Sequence, residues 1–183
     1  RRMRDILKLG LKLFIIAAVA GLALGATNAV TQGPIEAQRV AEAAASRQAV
    51  LPEAQIFEEA EKGGIDEAFY GLDAGGALVG LTGKATVQGF GGPIEVTVGI
   101  RADGTIAGVQ VGGSGFAETA GLGDKTRGEP FRMQFAGQEA PVSLRRDGGG
   151  IDAVTSATIS SSAVIEGVNA CAEHLMALLA QGR

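Results

Sequence analysis

The chain has 183 residues, enough for one ordinary domain and an appendage, with a net charge of −4 and one Cys and one His in total. An acidic body disfavours phosphate backbones, so nucleic-acid binding is excluded, and a lone Cys and His exclude a metal or iron–sulfur centre held by this chain. With 46% hydrophobic but only 4% aromatic residues and no Trp, any core is built from Val, Ile, Leu and Ala, with Phe at a few points.

Charge is uneven along the chain. Residues 1–12 carry five basic side chains (Arg1, Arg2, Arg4, Lys8, Lys12) against Asp5, giving +4; residues 13–183 carry 11 basic and 19 acidic, giving −8. No charged residue occurs from Leu13 to Ile35, long enough as a helix to cross a hydrocarbon core of roughly 30 Å. The basic cluster before it predicts an N-terminus in the cytoplasm and everything after about Thr31 outside. A cleaved signal peptide has the same basic start and apolar middle, but the good helix formers from Ile35 to Ala45 extend the helix, so an uncleaved anchor is expected. The expected organisation is a basic cytoplasmic tail over 1–12, a transmembrane helix over 13–32, a juxtamembrane helix over 33–50 and an extracytoplasmic domain over 51–183.

Leu51-Pro52 marks a break, and Ala54–Glu61 is ambiguous between strand and short helix. From Phe69 to Gly112 the pattern is β. Leu78–Val87 reads as one strand; Ile94, Val96, Val98 and Ile100 alternate on one face of the next; an Asp103-Gly104 turn leads back through Ile106–Val111. Gly112–Gly150 is a long glycine-rich stretch, of the kind that carries function in compact domains. The C-terminal segment is amphipathic: Val164, Val168, Cys171, Leu175 and Leu178 form an apolar stripe with Ile165, Met176 and Leu179 at its edges, while Glu166, Asn169, Glu173 and Gln181 face water. A helix covering one face of an antiparallel sheet gives an α+β fold.

Two segments carry chemistry. Asp152-Ala153-Val154-Thr155-Ser156-Ala157-Thr158-Ile159-Ser160 follows a glycine run and opens the last helix. A threonine there points its hydroxyl toward free N–H groups that stabilise a phosphate. Thr155, Ser156, Ser160 and Ser161 are short hydroxyls able to bond that phosphate, Ala157 is small enough for a bulky partner to approach, and Asp152 can orient the turn. Glu118-Thr119-Ala120-Gly121-Leu122-Gly123 is the second. Gly121 and Gly123 let main-chain N–H groups approach a flat polar ring, Leu122 offers its face an apolar contact, and Glu118 and Thr119 can bond its edge. Tyr70 and Phe116 are candidates to stack on such a ring, with Phe116 the better placed.

Other chemistry is poorly supported. His174 and Cys171 lie on the apolar face of the last helix, no G-x-S-x-G elbow exists, and the Gly112–Gly115 run lacks the Lys-Ser/Thr of a phosphate loop.

The first segment resembles the Asp-x-x-(Ser/Thr)-(Gly/Ser)-Ala-Thr-x-(Ser/Thr) motif at which FMN is esterified to threonine. It is found in FMN-binding subunits of the Rnf and Na⁺-translocating NADH:quinone oxidoreductase complexes. The second segment, the Gly89–Ile94 turn before it and the N-terminal anchor match in order. The resemblance is to the G-subunit (RnfG, RsxG) family of the Rnf ion-translocating electron-transport complex. Its FMN-binding domain is shared with the C-subunit family (NqrC) of the NADH:quinone oxidoreductase, which is the alternative within the class. A cofactor-free membrane-anchored scaffold is the alternative outside it.

The resemblance implies covalent FMN on Thr158 through a phosphoester, making the chain a phosphoprotein and flavoprotein. It also implies an electron relay within an oxidoreductase that couples ferredoxin:NAD⁺ traffic to Na⁺ or H⁺ movement, with no complete active site of its own. Other members of the complex and membrane lipid would be its partners, without direct binding of NAD or ferredoxin. Its location would be the bacterial inner membrane, with the FMN domain on the extracytoplasmic side. The family commonly has Gly where Ser156 stands.

Overall fold

The computed structural model describes residues 2–181. Its contacts divide the chain into two compact units, Arg1–Glu42 and Ala43–Arg183. Helix α1 runs from Arg2 to Val50, so its last turns belong to the second unit.

In the first unit the large apolar side chains from Leu7 to Val40 are exposed, Leu13, Phe14, Ile16 and Leu22 among them. So much exposed apolar surface on one helix suits an apolar solvent, and the hydroxyls of its two threonines are internally satisfied. Thr27 Oγ1 donates to the Ala23 carbonyl and Thr31 Oγ1 to the Thr27 carbonyl, both at 2.9 Å. Such back-bonding lets threonine sit in an apolar helix without a stranded hydroxyl.

The second unit is a five-stranded antiparallel sheet in the order β1-β2-β3-β4-β5. The strands are β1 (Ile56–Glu59), β2 (Glu67–Leu72), β3 (Leu78–Gln88), β4 (Pro93–Arg101) and β5 (Ile106–Gly112). The ambiguous Ala54–Glu61 stretch resolves as the short edge strand β1, paired to β2 in the register Phe57 to Gly71. The β4–β5 hairpin turns at Asp103-Gly104, where Gly104 takes φ 88° and Asp103 Oδ1 accepts from the N–H and hydroxyl of Thr105 at 2.9 and 2.7 Å.

Between β5 and the last helix the glycine-rich stretch folds into short helical turns, including α2 (Glu129–Arg132). Phe131, Phe135, Val142 and Leu144 anchor it in the core. The Gly137 N–H donates to the Ile106 carbonyl and the Ile106 N–H to the Gln138 carbonyl, closing the edge at β5. Part of this stretch is therefore structural, and the rest leads into the site.

Helix α3 (Thr158–Gln181) covers one face of the sheet, as its periodicity predicts. Val164, Val168, Cys171, Leu175 and Leu178 are all buried there. A Cβ on Gly167 would stand 2.9 Å from Val96 Cγ2, so helix and sheet are in close contact at that point. Asn169 is not a solvent residue: its Nδ2 donates to the Val142 carbonyl at 2.9 Å and its Oδ1 accepts from the Val142 N–H at 2.8 Å. Met176 stays 40% exposed, outside the stripe.

The opposite face is covered as well, by the end of α1. Val50, Leu51 and Ala54 are buried against it, lying on strand glycines whose missing side chains make the room. Beyond them Arg47 pairs with Glu67 at 3.1 Å and stacks over the Phe69 ring at 4.2 Å. Burial on both faces explains why Thr97 and Gly99 are as inaccessible as their alternating neighbours Val96 and Val98.

Candidate functional site

The chain approaches α3 through a tight turn. The Ala157 N–H donates to the Val154 carbonyl at 3.0 Å, and Ser156 takes φ 62°. That left-handed conformation is the one glycine adopts without steric cost. Ser161, fully buried, ties turn to helix: its hydroxyl donates to the Ala157 carbonyl at 2.9 Å and accepts from the Val154 N–H at 3.0 Å.

Asp152 orients this approach from upstream. Its carboxylate takes both Arg145 Nε and Nη2, at 2.6 and 3.0 Å, and its backbone is bracketed by the Gln134 carboxamide. The Arg145 hydrogen bond, aided by the Arg145 charge, holds the Asp152 carboxyl below its ordinary value.

Thr158 is the first residue of α3 and half-buried. Among the described residues, the N–H groups of Thr158, Ile159 and Ser160 have no hydrogen-bond partner; the first one engaged is that of Ser161, at 2.9 Å from the Ala157 carbonyl. Three unbonded donors at the positive end of a helix of 24 residues form a setting for a phosphoryl group beside the Thr158 hydroxyl. Thr155 and Ser156 are exposed at the same turn.

A groove of about 370 Å³ opens beside Thr158, lined by Gln88, Arg146, Thr158, Ile159, Ser162, Ala163 and Glu166. Its volume lies in the range of small-molecule sites. Five of these residues form one stripe of α3, at successive spacings of one, three, one and three residues. Gln88 closes it from the end of β3, and Arg146 from the turn after Leu144. Sequence reasoning identified Thr158 but missed the other lining residues. The signal was present: the polar and small side chains Thr158, Ser162 and Glu166 recur every four residues. Arg146 carried no such periodicity.

The Glu118–Gly123 segment sits on the other side of the first turn of α3, and none of its residues lines the groove. Glu118 Oε2 accepts from Ser160 Oγ at 2.6 Å and Oε1 from the Gly91 N–H at 3.1 Å. Both oxygens are thus engaged within the protein, and Ser160, only 2% exposed, is turned inward. Gly121 has φ 78° in an exposed turn, Leu122 is 40% exposed, and Gly123 is buried against Glu118 and Ser160. The Thr119 carbonyl accepts from the N–H groups of Leu122 and Asp124, leaving its side chain exposed.

The ring-stacking candidates are already occupied. Phe116 has the Arg127 guanidinium 4.9 Å from its ring centre and packs on the core, as does Tyr70. His174 Nε2 meets the Glu61 carbonyl at 2.5 Å, and burial pushes the Cys171 thiol up to about 12, so both are structural.

A free helix N-terminus carrying a hydroxyl on the wall of a ligand-sized groove is an arrangement able to receive the phosphate of a cofactor. The comparisons define it further. The FMN-binding domain family matches residues 89–173, from the turn holding Gly91 through most of α3. The G subunit of the Na⁺-translocating ferredoxin:NAD⁺ oxidoreductase complex of Acetobacterium woodii is 37% identical, over 90% of this chain and 88% of its own. The G subunit of the ion-translocating oxidoreductase complex of Methanosarcina acetivorans is 30% identical, over 95% and 96%. That of Cereibacter sphaeroides is 34% identical over 85% and 78%. In fold, the chain is similar to the C subunit of the Na⁺-translocating NADH-quinone reductase of Parabacteroides distasonis (TM-score 0.50, 21% identity, 61% of each chain).

This is therefore an FMN-binding flavoprotein domain, in a chain that also carries an apolar, membrane-anchoring helix. The chain belongs to the G-subunit family of ion-translocating oxidoreductase complexes, and is an electron-transfer subunit of such an oxidoreductase.

Proposed function

We propose that the chain carries FMN covalently on Thr158 and relays electrons inside an Rnf-type complex, between neighbouring redox centres of other subunits. The observation that carries this reading is the placement of Thr158: its hydroxyl lies at the wall of the groove, beside three N–H groups with no partner. Attachment needs an activated donor. The Thr158 hydroxyl attacks the flavin-side phosphorus of a flavin dinucleotide and its proton passes to a base of the transferring enzyme. The pyrophosphate bond breaks and AMP leaves.

Thr155 and Ser156 supply hydroxyls near the phosphoryl group, and Ile159, Ser162 and Ala163 offer a floor along α3. Thr119, Gly121, Leu122 and Gly123 lie across the first turn of α3 from the groove and do not line it. Bound FMN supplies the redox chemistry, and this chain supplies position, exclusion of water and local charge. Among the described residues Arg146, paired with Asp147 at 3.3 Å, is the one cation lining the groove, and its charge favours the electron-rich, reduced ring.

The basic N-terminus argues for a cytoplasmic start and an extracytoplasmic flavin domain, where an untethered FMN would be lost by diffusion. Lipid around α1 and the other members of the complex are the partners, with NAD and ferredoxin engaged by subunits other than this one. The coupled ion is Na⁺ or H⁺. Co-production with a flavin-transferring enzyme tests the attachment: the denatured chain fluoresces under ultraviolet light and gains the mass of an FMN phosphoester. Thr158→Ala abolishes both signals. A fluorescent Thr158→Ala chain, or a parent chain of unmodified mass, overturns the reading.

A further inference from the structure

We propose that Glu118 is a positioning residue for flavin attachment: it clasps the first turn of α3 so that Thr158 is presented to the groove. The inference rests on Thr158 being the attachment residue. Three separate chain segments converge on the Glu118 carboxylate. Ser160 Oγ from α3 donates to Oε2 at 2.6 Å, and the Gly91 N–H from the β3–β4 turn donates to Oε1 at 3.1 Å. From the third, Gly123, the absence of a side chain leaves room for Oε2; Gly89 does the same for Oε1. A Cβ at either glycine would overlap the carboxylate.

Helix geometry turns this clasp into a direction. Successive residues are about 100° apart around the axis, so Ser160 and Thr158 point about 200° apart. Holding Ser160 inward toward Glu118 therefore holds Thr158 outward, on the side that also bears Ser162 and the groove. With its three leading N–H groups unpartnered, the first turn is held by the Ser161 contacts and by the Glu118–Ser160 bond, and only the latter fixes the direction of Ser160. An ionised carboxylate is acceptor-only, so Glu118 can hold a hydroxyl but does not attract a phosphoryl group. Its role is exercised through Ser160, without touching the flavin.

The full chain, co-produced with a flavin-transferring enzyme, is compared as parent, Glu118→Ala, Glu118→Gln and Ser160→Ala. Attached flavin is read by mass at a limiting transfer time. Amide hydrogen exchange at Ser161 and Ser162, whose N–H groups are the first held by the turn, is read in chains made without that enzyme. Loss of a charge-assisted hydrogen bond should cut attachment by roughly ten-fold or more in Glu118→Ala and Ser160→Ala, and speed exchange of that turn by a similar factor. Exchange over Val164–Leu175 should stay unchanged. Glu118→Gln should remain within about two-fold of the parent, since its carbonyl accepts from Gly91 and its NH₂ donates to the Ser160 hydroxyl.

Parent-like attachment in both alanine variants overturns the proposal. So does a Glu118→Gln chain as deficient as Glu118→Ala, which would make the charge itself the operative property. If Glu118→Ala fails to fold, Ser160→Ala breaks the same bond from the other side. A parent chain that takes no flavin at Thr158 defeats the functional reading instead. The exchange arm then still decides the clasp: acceleration confined to Ser161 and Ser162 supports it and unchanged exchange there overturns it.

Discussion

The Val50 carbonyl oxygen lies directly on Gly99, in the space where a Cβ on that residue would stand. Gly108 meets the Val50 backbone from the next strand, and Gly71 meets Leu51 and Ala54 from another. Backbone is seated on backbone here, so no side-chain rotation can relieve an added methyl. Gly99→Ala should destabilise the domain by about 1–3 kcal/mol, the usual range for overpacking. Because the chain has no Trp, urea unfolding followed by circular dichroism is the measurement; an unchanged midpoint would show that α1 does not bear on the sheet there.

Ser156 holds φ 62°, a conformation that glycine adopts without steric cost. Left-handed backbone costs a residue with a Cβ roughly 1–2 kcal/mol. Ser156→Gly removes that strain but enlarges the freedom of the unfolded chain, so the net effect should be within about 0.5 kcal/mol of zero. Ser156→Val should lower stability by at least about 1 kcal/mol, because a β-branched side chain tolerates positive φ poorly. Thermal melts of the two variants should therefore separate, with valine the lower.

Acid should loosen the approach to α3 before it unfolds the sheet. The folded pKa of Asp152 is depressed by Arg145, so this pair stabilises the fold at pH values above the ordinary 3.8. That contribution starts to fade as pH falls to 3.8 and is gone once the lower folded value is passed. Amide exchange over residues 152–157 should rise across that interval in the parent. Asp152→Asn should show the faster exchange already at about pH 6 and a flatter response below about pH 4, as the segment then has no carboxylate to titrate.

Arg146 should tune the flavin without being needed to hold it. A guanidinium in the groove favours the reduced ring, so Arg146→Gln should lower the midpoint potential. A ten-fold change in the reduced-to-oxidised ratio corresponds to about 30 mV for a two-electron couple. Arg146→Lys should recover most of that shift. Spectroelectrochemical titration decides, and a potential that is indifferent to the charge removes Arg146 from the electrostatic role.

Much of this arrangement is legible in the sequence alone. The alternation of Ile94, Val96, Val98 and Ile100 marks β4, and the stripe from Val164 to Leu178 marks the buried face of α3. The place of Thr158 at a helix start is legible because it is written locally, in hydroxyls after a glycine run. Glu118 stands out as a site residue, but its partner lies 42 positions away, and no local pattern records that Ser160 would use its carboxylate. The same holds for Asn169, which reads as a solvent residue on a helical wheel yet pins Val142. The glycines under Val50 look like strand irregularities; only the chain crossing above them explains their placement.

That crossing bears on where the molecule can be cut. A water-soluble domain trimmed to begin at the Leu51-Pro52 break would discard Arg47 and Val50. It would leave Gly99, Gly108 and the Phe69 ring open to solvent on what had been an interior surface. Truncation ahead of Ala43 retains the covering turns together with the strands they shield. The final stretch of the membrane helix thus doubles as a wall of the flavin module.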